Sequence, residues 1–494
     1  MKYFFLYDDF YFLVPEFFFL LTFLYIFIFC IFFSNTSIYK YSKISKPLIF
    51  IFFLVFIYYA VLCFNSIDFN FIVSYYFFAS NELVTFLKIF FIFLSVLILF
   101  FFYSFLTTFD ILFFEFIFLY VLSCLGMLLL IMSYDFIIVY LCIELQSLCF
   151  YILIAIQRKK NKAVEAGLKY FILGSFSSTV FLLGIGFIYG ATGVTNFKDL
   201  SLLLNFGINF FLPSDFFFFL GLLLVCIGFF FKLSIAPFHF WLPDVFDGSS
   251  RLVISIFGIL PKFSVFFLFF KMCSIIFSQF FLFLQFFFIS FVILSWVIGL
   301  LGAIKTNRLN KFLAYSSINH LGFILLGLTI NDLFSVVFYL FIYVLISLNI
   351  FVIFCSLTKA SNKSEISVIE QLLYIKKTNL ILVISLSIAL LSLAGVPPLA
   401  GFFGKFFIFF NSLSLNFIFL TLIGLIVSLV SCFYYLRIIK FLTFNNTKNF
   451  VFLSNIDKIT SYLVSVGIVF NCCFIFLVPF LYNFIKYLFL ISIF

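Results

Sequence analysis

Long apolar runs follow one another through nearly the whole chain and constrain its fold more than any other feature. A helix that crosses a bilayer needs about 20 predominantly apolar residues. With polar breaks and Gly, Pro and Asn clusters taken as boundaries, the sequence predicts fourteen such segments and so an all-α polytopic membrane protein. They run near 12–33, 47–64, 84–106, 111–132, 136–156, 166–190, 216–242, 252–274, 280–302, 312–330, 333–357, 379–412, 414–436 and 463–488.

The composition excludes a soluble enzyme. Of 494 residues, 66% are apolar and 9% are charged, whereas soluble domains carry roughly 25% charged residues. This chain therefore cannot cover a globule with polar surface. It also contains 95 Phe against 2 Trp and 4 Met. Because Leu or Val would serve as well against lipid, we interpret the Phe excess as the mark of an AT-rich genome.

Cofactor-binding residues are scarce. Two histidines, His239 and His320, lie on separate segments, which argues against haem and copper carriers that need several such ligands. The 11 Cys form no C-x-x-C pair, so iron–sulfur and structural zinc sites lack support. The sequence has no Walker-type or G-x-G-x-x-G phosphate loop. We therefore expect no cofactor and no metal in this chain.

Loop charge gives an independent test of the helix count. With fourteen helices, nineteen of the 28 Lys and Arg residues fall on one side of the membrane and four on the other. Such an asymmetry marks the cytoplasmic or matrix side, so both termini are predicted on the opposite side. The same asymmetry explains the net charge of +10, so this charge does not indicate binding to nucleic acid. The first 16 residues contain Asp8, Asp9 and Glu16 but only Lys2, unlike a transit peptide.

A small set of ionisable residues lies inside the predicted spans. A charge at a helix centre costs roughly 2.5–3.5 kcal/mol, so such residues are candidates for function. Lys88 and Glu115 lie about one turn into their helices and are expected to reach the interface in a structural role. Glu144 and Lys262 lie near helix centres, where that explanation fails. Lys169, one turn in, is open to either interpretation.

Two further lysines lie beside prolines that break a helix. Pro237 follows Lys232 by five residues, and Pro397 and Pro398 precede Lys405 by seven or eight. Each proline removes the donor for the carbonyl four residues earlier. Broken helices persist at membrane depth where they line protein or water-filled cavities, as in transporters. Because burial disfavours a charged lysine and a nearby carboxylate favours it, these residues could load and release protons.

Five stretches together form a specific pattern, although each alone is weak. They are ELQSL at 144–148, EAGLKYFILG at 165–174, FKLSIAPFHFWLPD at 231–244, LAYSSINHLG at 313–322 and GVPPLAGFFGK at 395–405. The set resembles the antiporter-like subunits of proton-pumping NADH:quinone oxidoreductase, respiratory complex I. The resemblance runs in order from about residue 115 to 440.

This resemblance implies two inverted five-helix repeats, at 111–274 and 280–436, each with a Pro-broken helix. A three-helix segment at 1–110 precedes them and a helical region at 437–494 follows. By motif position, the resemblance implies that Glu144 pairs with Lys169 and that Lys232 carries the proton in the first broken helix. Lys262 is implied to be the connecting lysine between half-channels, and Lys405 the terminal lysine of the second half-channel. His239 and His320 match histidines near the central polar axis.

The resemblance further implies a proton-translocating role in complex I, with electron transfer from NADH to ubiquinone in other subunits. Expected partners are other membrane-arm subunits, lipids and protons. The expected location is the mitochondrial inner membrane, with both termini in the intermembrane space, and the AT-type composition favours a mitochondrial gene. Two alternatives stay open: a subunit of a multisubunit Na⁺/H⁺ antiporter, and a non-pumping structural subunit. One departure is the loop Asp247–Val253, where Arg251 stands and the prolines usual in the family are missing.

Overall fold

Helices dominate the computed structural model, which describes residues 13–34, 42–65, 71–73, 77–105, 113–205, 213–276, 280–358, 366–444 and 457–492. The predicted segments 1–110 and 437–494 therefore lie partly outside the described residues. The helices are α1 Val14–Ser34, α2 Ser42–Asn65, α3 Glu82–Phe105, α4 Phe113–Met132, α5 Phe136–Ala155, α6 Asn161–Thr192, α7 Phe197–Asn205, α8 Pro213–Leu233, α9 Trp241–Gly248, α10 Arg251–Ile275, α11 Phe281–Lys305, α12 Leu309–Thr329, α13 Leu333–Ser356, α14 Ile375–Thr378, α15 Leu380–Ala394, α16 Ala400–Ser414, α17 Ile418–Thr443 and α18 Lys458–Ser492.

The predicted membrane spans are confirmed. Thirteen helices of the described residues are long and apolar enough to cross a membrane. The fourteenth predicted span, 379–412, consists of two 15-residue helices, α15 and α16, on either side of Pro397 and Pro398. In the span predicted at 216–242, α8 ends at Leu233 and a break follows, and α9 begins at Trp241 and extends to Gly248. Short elements outside the predicted spans are helix α7, helix α14, a 3₁₀ helix at Ile369–Tyr374 and two antiparallel strands, β1 Phe71–Val73 and β2 Phe78–Ser80.

The chain forms two compact units. The first contains residues 1–233, 256–281 and 488–494, and the second contains 234–255 and 282–487. The chain thus passes from one unit to the other just after Leu233, inside the first proline break. The boundaries of the repeats predicted from the resemblance, 111–274 and 280–436, stay a prediction.

In the first unit, α6 and α8 approach each other closely through small residues. A Cβ on Gly184 would lie 2.9 Å from the carbonyl oxygen of Gly221, and a Cβ on Gly221 would lie 2.8 Å from that of Gly184. Glycine at both positions lets two backbones pack directly, as is common between membrane helices. This contact fixes the position of α8, whose last turn carries Lys232.

Burial divides the helices into central and peripheral ones. The apolar window of α10 is fully buried, whereas that of α11 is 39% buried. Apolar side chains such as Phe286 on α11 and Phe419 on α17 are more than 70% exposed. Exposed apolar rings of this kind are typical of a surface that contacts lipid, because lipid tails are as apolar as these side chains. Ionisable residues on α10 therefore lie in protein, where they cannot reach a headgroup.

The second proline break has a local cause in the sequence. Asn379 caps the start of α15 by accepting from the backbone N–H groups of Ile381 and Leu382. Gly395 ends α15 with a φ of 91°, a left-handed conformation that glycine adopts without steric cost. Pro397 and Pro398 then prevent the helix from resuming until Ala400.

Candidate functional site

Four of the five predicted proton-pathway residues lie in the first unit, on four different helices. Glu144 is on α5, Lys169 on α6, Lys232 on α8 and Lys262 on α10. The fifth, Lys405, lies on α16 in the second unit, which also contains His239 and His320.

Glu144 and Lys232 carry buried charged atoms that lack hydrogen-bond partners. The Oε1 atom of Glu144 and the Nζ atom of Lys232 are both buried and make no hydrogen bond to any described residue. The charge of Glu144 acts on Lys232 across the intervening space. An unpartnered buried charge is costly unless a nearby opposite charge offsets it.

Lys262 lies near the middle of α10 and is buried. It follows Pro261 within α10 and is 6% exposed. Its Nζ atom has no hydrogen-bond partner among the residues that the structure describes. Because ammonium is a strong donor, a buried Lys262 without an acceptor favours the neutral amine. Such a lysine can accept a proton when one is delivered and give it up again.

Lys169 has a different environment. Its Nζ atom lies 2.8 Å from Oε1 of Glu165, one turn earlier on α6, and the two side chains are 44% and 64% exposed. The neighbouring Tyr170 is buried and packs on Tyr151 at 4.8 Å between ring centroids. Lys169 therefore lies on the partly exposed surface of α6, in an i, i+4 ion pair with Glu165. The pairing of Lys169 with Glu144 implied by the resemblance stays a prediction.

Lys405 occupies the break between α15 and α16. Its Nζ atom donates to the carbonyl oxygens of Leu393 and Ala394, each at 2.9 Å. These are the two carbonyls from which Pro397 and Pro398 remove the usual i→i−4 donors. Lys405 is 4% exposed and its Nζ atom lies 5.1 Å from the ring centroid of Phe323. The ammonium thereby replaces the missing helix donors.

His320 lies between two tyrosine hydroxyls in the second unit. Its Nδ1 atom is 2.7 Å from Oη of Tyr339 on α13, and its Nε2 atom is 2.8 Å from Oη of Tyr435 on α17. All three side chains are at least 98% buried. A neutral imidazole donates through one nitrogen and accepts through the other. His320 can therefore pass a proton from one tyrosine hydroxyl to the other by changing tautomer.

His239 lies in the first proline break, between α8 and α9. Its Nδ1 atom is 3.2 Å from the carbonyl oxygen of Pro237, and the residue is 5% exposed. Its ring packs on Phe240 at 4.5 Å between centroids. The hydrogen bond to Pro237 fixes the imidazole against the turn that breaks the helix.

Two buried lysines are bonded in ways that sequence reasoning missed. Lys88, expected at the interface, is 2% exposed and forms a 2.9 Å ion pair with Glu16, so that expectation is wrong. Lys271, on α10, is 6% exposed and donates to the carbonyl oxygen of Ser133 at 2.9 Å. The partners are separated by 72 and 138 residues, so no local pattern could reveal them.

Arg251 gives the unusual loop a structural role. Its guanidinium donates to the carbonyl oxygens of Phe354, Leu357 and Ile366, and the bond to Leu357 is 3.1 Å long. Phe354 and Leu357 lie at the end of α13, where the helix dipole favours a cation, and the carbonyl of Phe354 also accepts from the backbone N–H of Leu357. The planar guanidinium serves several acceptors at once. Arg251 therefore ties the loop before α10 to the end of α13.

No set of three or more His, Cys, Asp or Glu side chains within the described ranges could hold a metal ion. The predicted site residues instead place glutamate, lysine and histidine side chains on broken and unbroken membrane helices. The family model described as "NADH:quinone oxidoreductase/Mrp antiporter, TM" matches residues 133–431. The chain belongs to this family.

Members of the family from several organisms are similar to this chain. NADH-ubiquinone oxidoreductase chain 2 of Marchantia polymorpha is 42% identical over 367 residues, 73% of each chain. Chain 2 of Arabidopsis thaliana is 39% identical over 70% of this chain and 69% of the relative. NADH-quinone oxidoreductase subunit N of Pelagibacter ubique is 37% identical over 66% and 68%.

Solved structures share the fold. A chain of respiratory complex I from Thermus thermophilus, with bound aureothin, has a TM-score of 0.78 at 23% identity and covers 95% of this chain and 98% of its own. A chain of the Mrp complex from Dietzia has a TM-score of 0.73 at 19% identity and covers 87% and 80%. The predicted fold class, a polytopic helical protein of the antiporter-like type, is thereby confirmed.

Proposed function

We propose that this chain is a proton-translocating, antiporter-like subunit of the membrane arm of NADH:ubiquinone oxidoreductase. The observation that carries the proposal is that the Nζ atoms of Lys232 and Lys262 are buried and have no hydrogen-bond partner among the described residues. A structural lysine in a membrane protein is bonded, as Lys271 is. An unbonded one is retained at a cost of several kcal/mol only where its protonation is used.

In this mechanism the charge of Glu144 controls whether Lys232 holds a proton. When Glu144 is ionised, its field favours the ammonium form of Lys232, and when that field is neutralised, Lys232 releases its proton. Lys262 accepts the proton as a neutral amine in the apolar interior of α10. Lys405 is the terminal carrier of the second repeat, and His320 and His239 belong to the polar axis. Lys169 modulates the charge of Glu144.

The electron chemistry from NADH to ubiquinone occurs in other subunits, and this chain takes part in the enzyme without a redox centre of its own. Its partners are other membrane-arm subunits, lipids and protons. We place it in the mitochondrial inner membrane with both termini in the intermembrane space, and we infer a mitochondrial gene. The relatives named chain 2 and the asymmetry of loop charge support this placement.

The proposal is tested by measuring NADH-driven proton pumping in the assembled complex. We expect Lys232→Ala and Glu144→Ala to lower the number of protons moved per NADH. The control is Lys440→Ala, because Lys440 is exposed near the end of α17. Wild-type stoichiometry in both variants would show that the assignment of these residues is wrong. That result would favour the alternative of a structural subunit that contacts its neighbours and does not pump protons.

A Na⁺/H⁺ antiporter subunit is the second candidate. The family model includes Mrp antiporters, and the chain from the Dietzia Mrp complex shares the fold. The test is expression of this chain in a host that lacks its own antiporters. Restored Na⁺ tolerance would favour the antiporter. Detection of the chain by mass spectrometry in a native-gel band with NADH dehydrogenase activity would favour complex I.

A further inference from the structure

An apolar groove lies between α1 and α2, outside the residues 133–431 that the family model matches. Its volume is about 650 Å³, and its lining residues fall within 21–30 of α1 and 47–55 of α2. The same two helices are the most outward-facing of the first unit, because their apolar windows are only 28% and 33% buried. The groove is therefore open to whatever surrounds the chain in the membrane.

Aromatic contacts replace the groove toward the start of α1. The ring of Phe19 packs on Phe56 and Tyr59 of α2, with centroids 5.2 and 5.6 Å apart. Phe18 packs on Tyr58 at 4.8 Å. The two helices are thus in ring contact in one half of their length and leave a groove in the other half.

The groove has the depth of one leaflet of a bilayer. On α1 its lining residues lie between positions 21 and 30, which is about 13 Å of helix at 1.5 Å per residue. Half of the hydrocarbon core is about 15 Å thick. The groove begins near the end where the chain passes from α1 to α2 and stops near the middle of both helices. A single acyl chain that enters from this interface extends over the same depth.

The floor of the groove offers apolar surface. Ile26, Cys30 and Leu48 are more than nine-tenths buried, whereas Leu21 at the rim is 63% exposed. Thr22 also lines the groove, but its hydroxyl donates to carbonyl oxygens of the preceding turn of α1, at 2.9 and 3.0 Å. The wall therefore favours a hydrocarbon chain over a polar ligand.

Positive charge lies at the interface end of the groove. Lys43 and Lys46 are the second and fifth residues of α2, directly before Pro47, which lines the groove. Residues 17–67 contain three lysines and no Asp or Glu, so no acidic residue in this part of the sequence offsets them. Basic residues at a membrane interface attract anionic lipid headgroups. The same end of the helix pair thus combines an apolar groove with a positive rim.

We propose that this groove binds an anionic phospholipid, with one acyl chain along α1 and α2 and the phosphate at the level of Lys43 and Lys46. The bound chain covers the apolar floor that the aromatic contacts leave open. The site is separate from Glu144, Lys232 and Lys262, and it does not depend on the role proposed for them.

Photo-labelling with two synthetic lipids tests this proposal in membranes that contain the chain. Phosphatidylglycerol and phosphatidylcholine, each with a diazirine on one acyl chain, differ in headgroup charge and share their chains. Light converts the diazirine to a carbene that inserts into adjacent side chains, and mass spectrometry locates the adducts. We expect adducts within 21–30 and 47–55. Because each lysine near the surface strengthens binding of an anionic lipid about fivefold, phosphatidylglycerol should label more than phosphatidylcholine.

Substitutions separate the headgroup contact from the chain contact. Lys43→Gln and Lys46→Gln should each lower labelling by phosphatidylglycerol about fivefold and leave labelling by phosphatidylcholine unchanged. The matched control is Lys440→Gln, because Lys440 is exposed near the end of α17. Thr22→Phe places a ring in the groove and should abolish labelling by both lipids. If that variant does not assemble, Val55→Phe makes the same test from α2.

Three results would overturn the proposal. Adducts elsewhere on the chain with none within 21–30 and 47–55 would show that another protein covers the groove. Equal labelling of the groove by the two lipids in wild type would exclude an anionic site, and so would unchanged labelling by phosphatidylglycerol in both lysine variants. Because labelling needs no NADH, it can fail while pumping through Lys232 is intact, or succeed where the Lys232→Ala test fails.

Discussion

Lys405 places its ammonium nitrogen 2.9 Å from the carbonyl oxygen of Ala394, across the break between α15 and α16. The same nitrogen donates to Leu393, so one side chain satisfies the two carbonyls that Pro397 and Pro398 leave without helical donors. The hydrocarbon core of a bilayer contains no water that could form hydrogen bonds with exposed backbone groups. In this chain a proposed proton carrier therefore also stabilises the broken helix.

Lys405→Met and Lys405→Arg should separate these two roles. Methionine removes both donors and leaves two carbonyls unpaired at a cost of about 1–3 kcal/mol each, so less assembled complex is expected on native gels. Arginine keeps donors but does not release its proton in proteins. We expect Lys405→Arg to assemble and to lose NADH-driven pumping. Normal pumping by the arginine variant would contradict a carrier role for Lys405.

Lys262 and Lys271 form a matched pair on α10, because one lacks a hydrogen-bond partner among the described residues and the other is bonded to Ser133. Lys271→Met should lower stability by about 1–3 kcal/mol, since it leaves the carbonyl of Ser133 unpaired, and should leave proton stoichiometry unchanged. Lys262→Met breaks no hydrogen bond in the described part of the chain, so it should assemble normally and pump less. Thermal stability in detergent and pumping in vesicles would measure both. The reverse pattern would show that the roles are exchanged.

Arg251→Leu should destabilise the end of α13. The substitution removes the donors to Leu357 and Ile366 and one of two donors to Phe354, and each buried acceptor left unpaired costs about 1–3 kcal/mol. A lower midpoint of thermal unfolding of the purified complex is the expected readout. Arg308→Leu is the control, because Arg308 is half exposed in its ion pair with Asp247 and such pairs contribute about 0–1 kcal/mol. If both variants lowered the unfolding midpoint equally, the proposed stabilisation of the end of α13 by Arg251 would be refuted.

Tyr435→Phe tests whether His320 relays a proton between two hydroxyls. The change removes the hydroxyl 2.8 Å from Nε2 and keeps the ring, so assembly should persist. Because positioned proton donors contribute at least about 10²-fold to many proton transfers, we expect pumping to slow by about tenfold or more. Tyr120→Phe is the control, because Tyr120 is equally buried and its hydroxyl donates to the carbonyl oxygen of Ser95. Unchanged pumping in Tyr435→Phe would exclude the relay.

The sequence predicted the membrane spans and both broken helices. Hydropathy over about 20 residues follows from the thickness of the bilayer, and Pro237, Pro397 and Pro398 act on carbonyls at fixed offsets. Both rules depend only on residues close together in the chain, so the spans and the helix breaks can be predicted from one sequence. The same reasoning identified Leu393 and Ala394 as carbonyls that need a donor. It did not identify Lys405 as that donor, because the approach of α16 to the end of α15 depends on the turn between them.

What the tertiary structure decided is which buried charges have partners. Lys88 and Lys271 lie in apolar helices just as Lys262 does, yet the first is paired with Glu16 and the second with the carbonyl of Ser133. The field of a charge acts through space, and residues far apart in the chain meet only after the helices pack. The sequence by itself determined the helices and the positions of their ionisable residues. Packing alone decided which of those residues are bonded and which are left without a hydrogen-bond partner among the described residues.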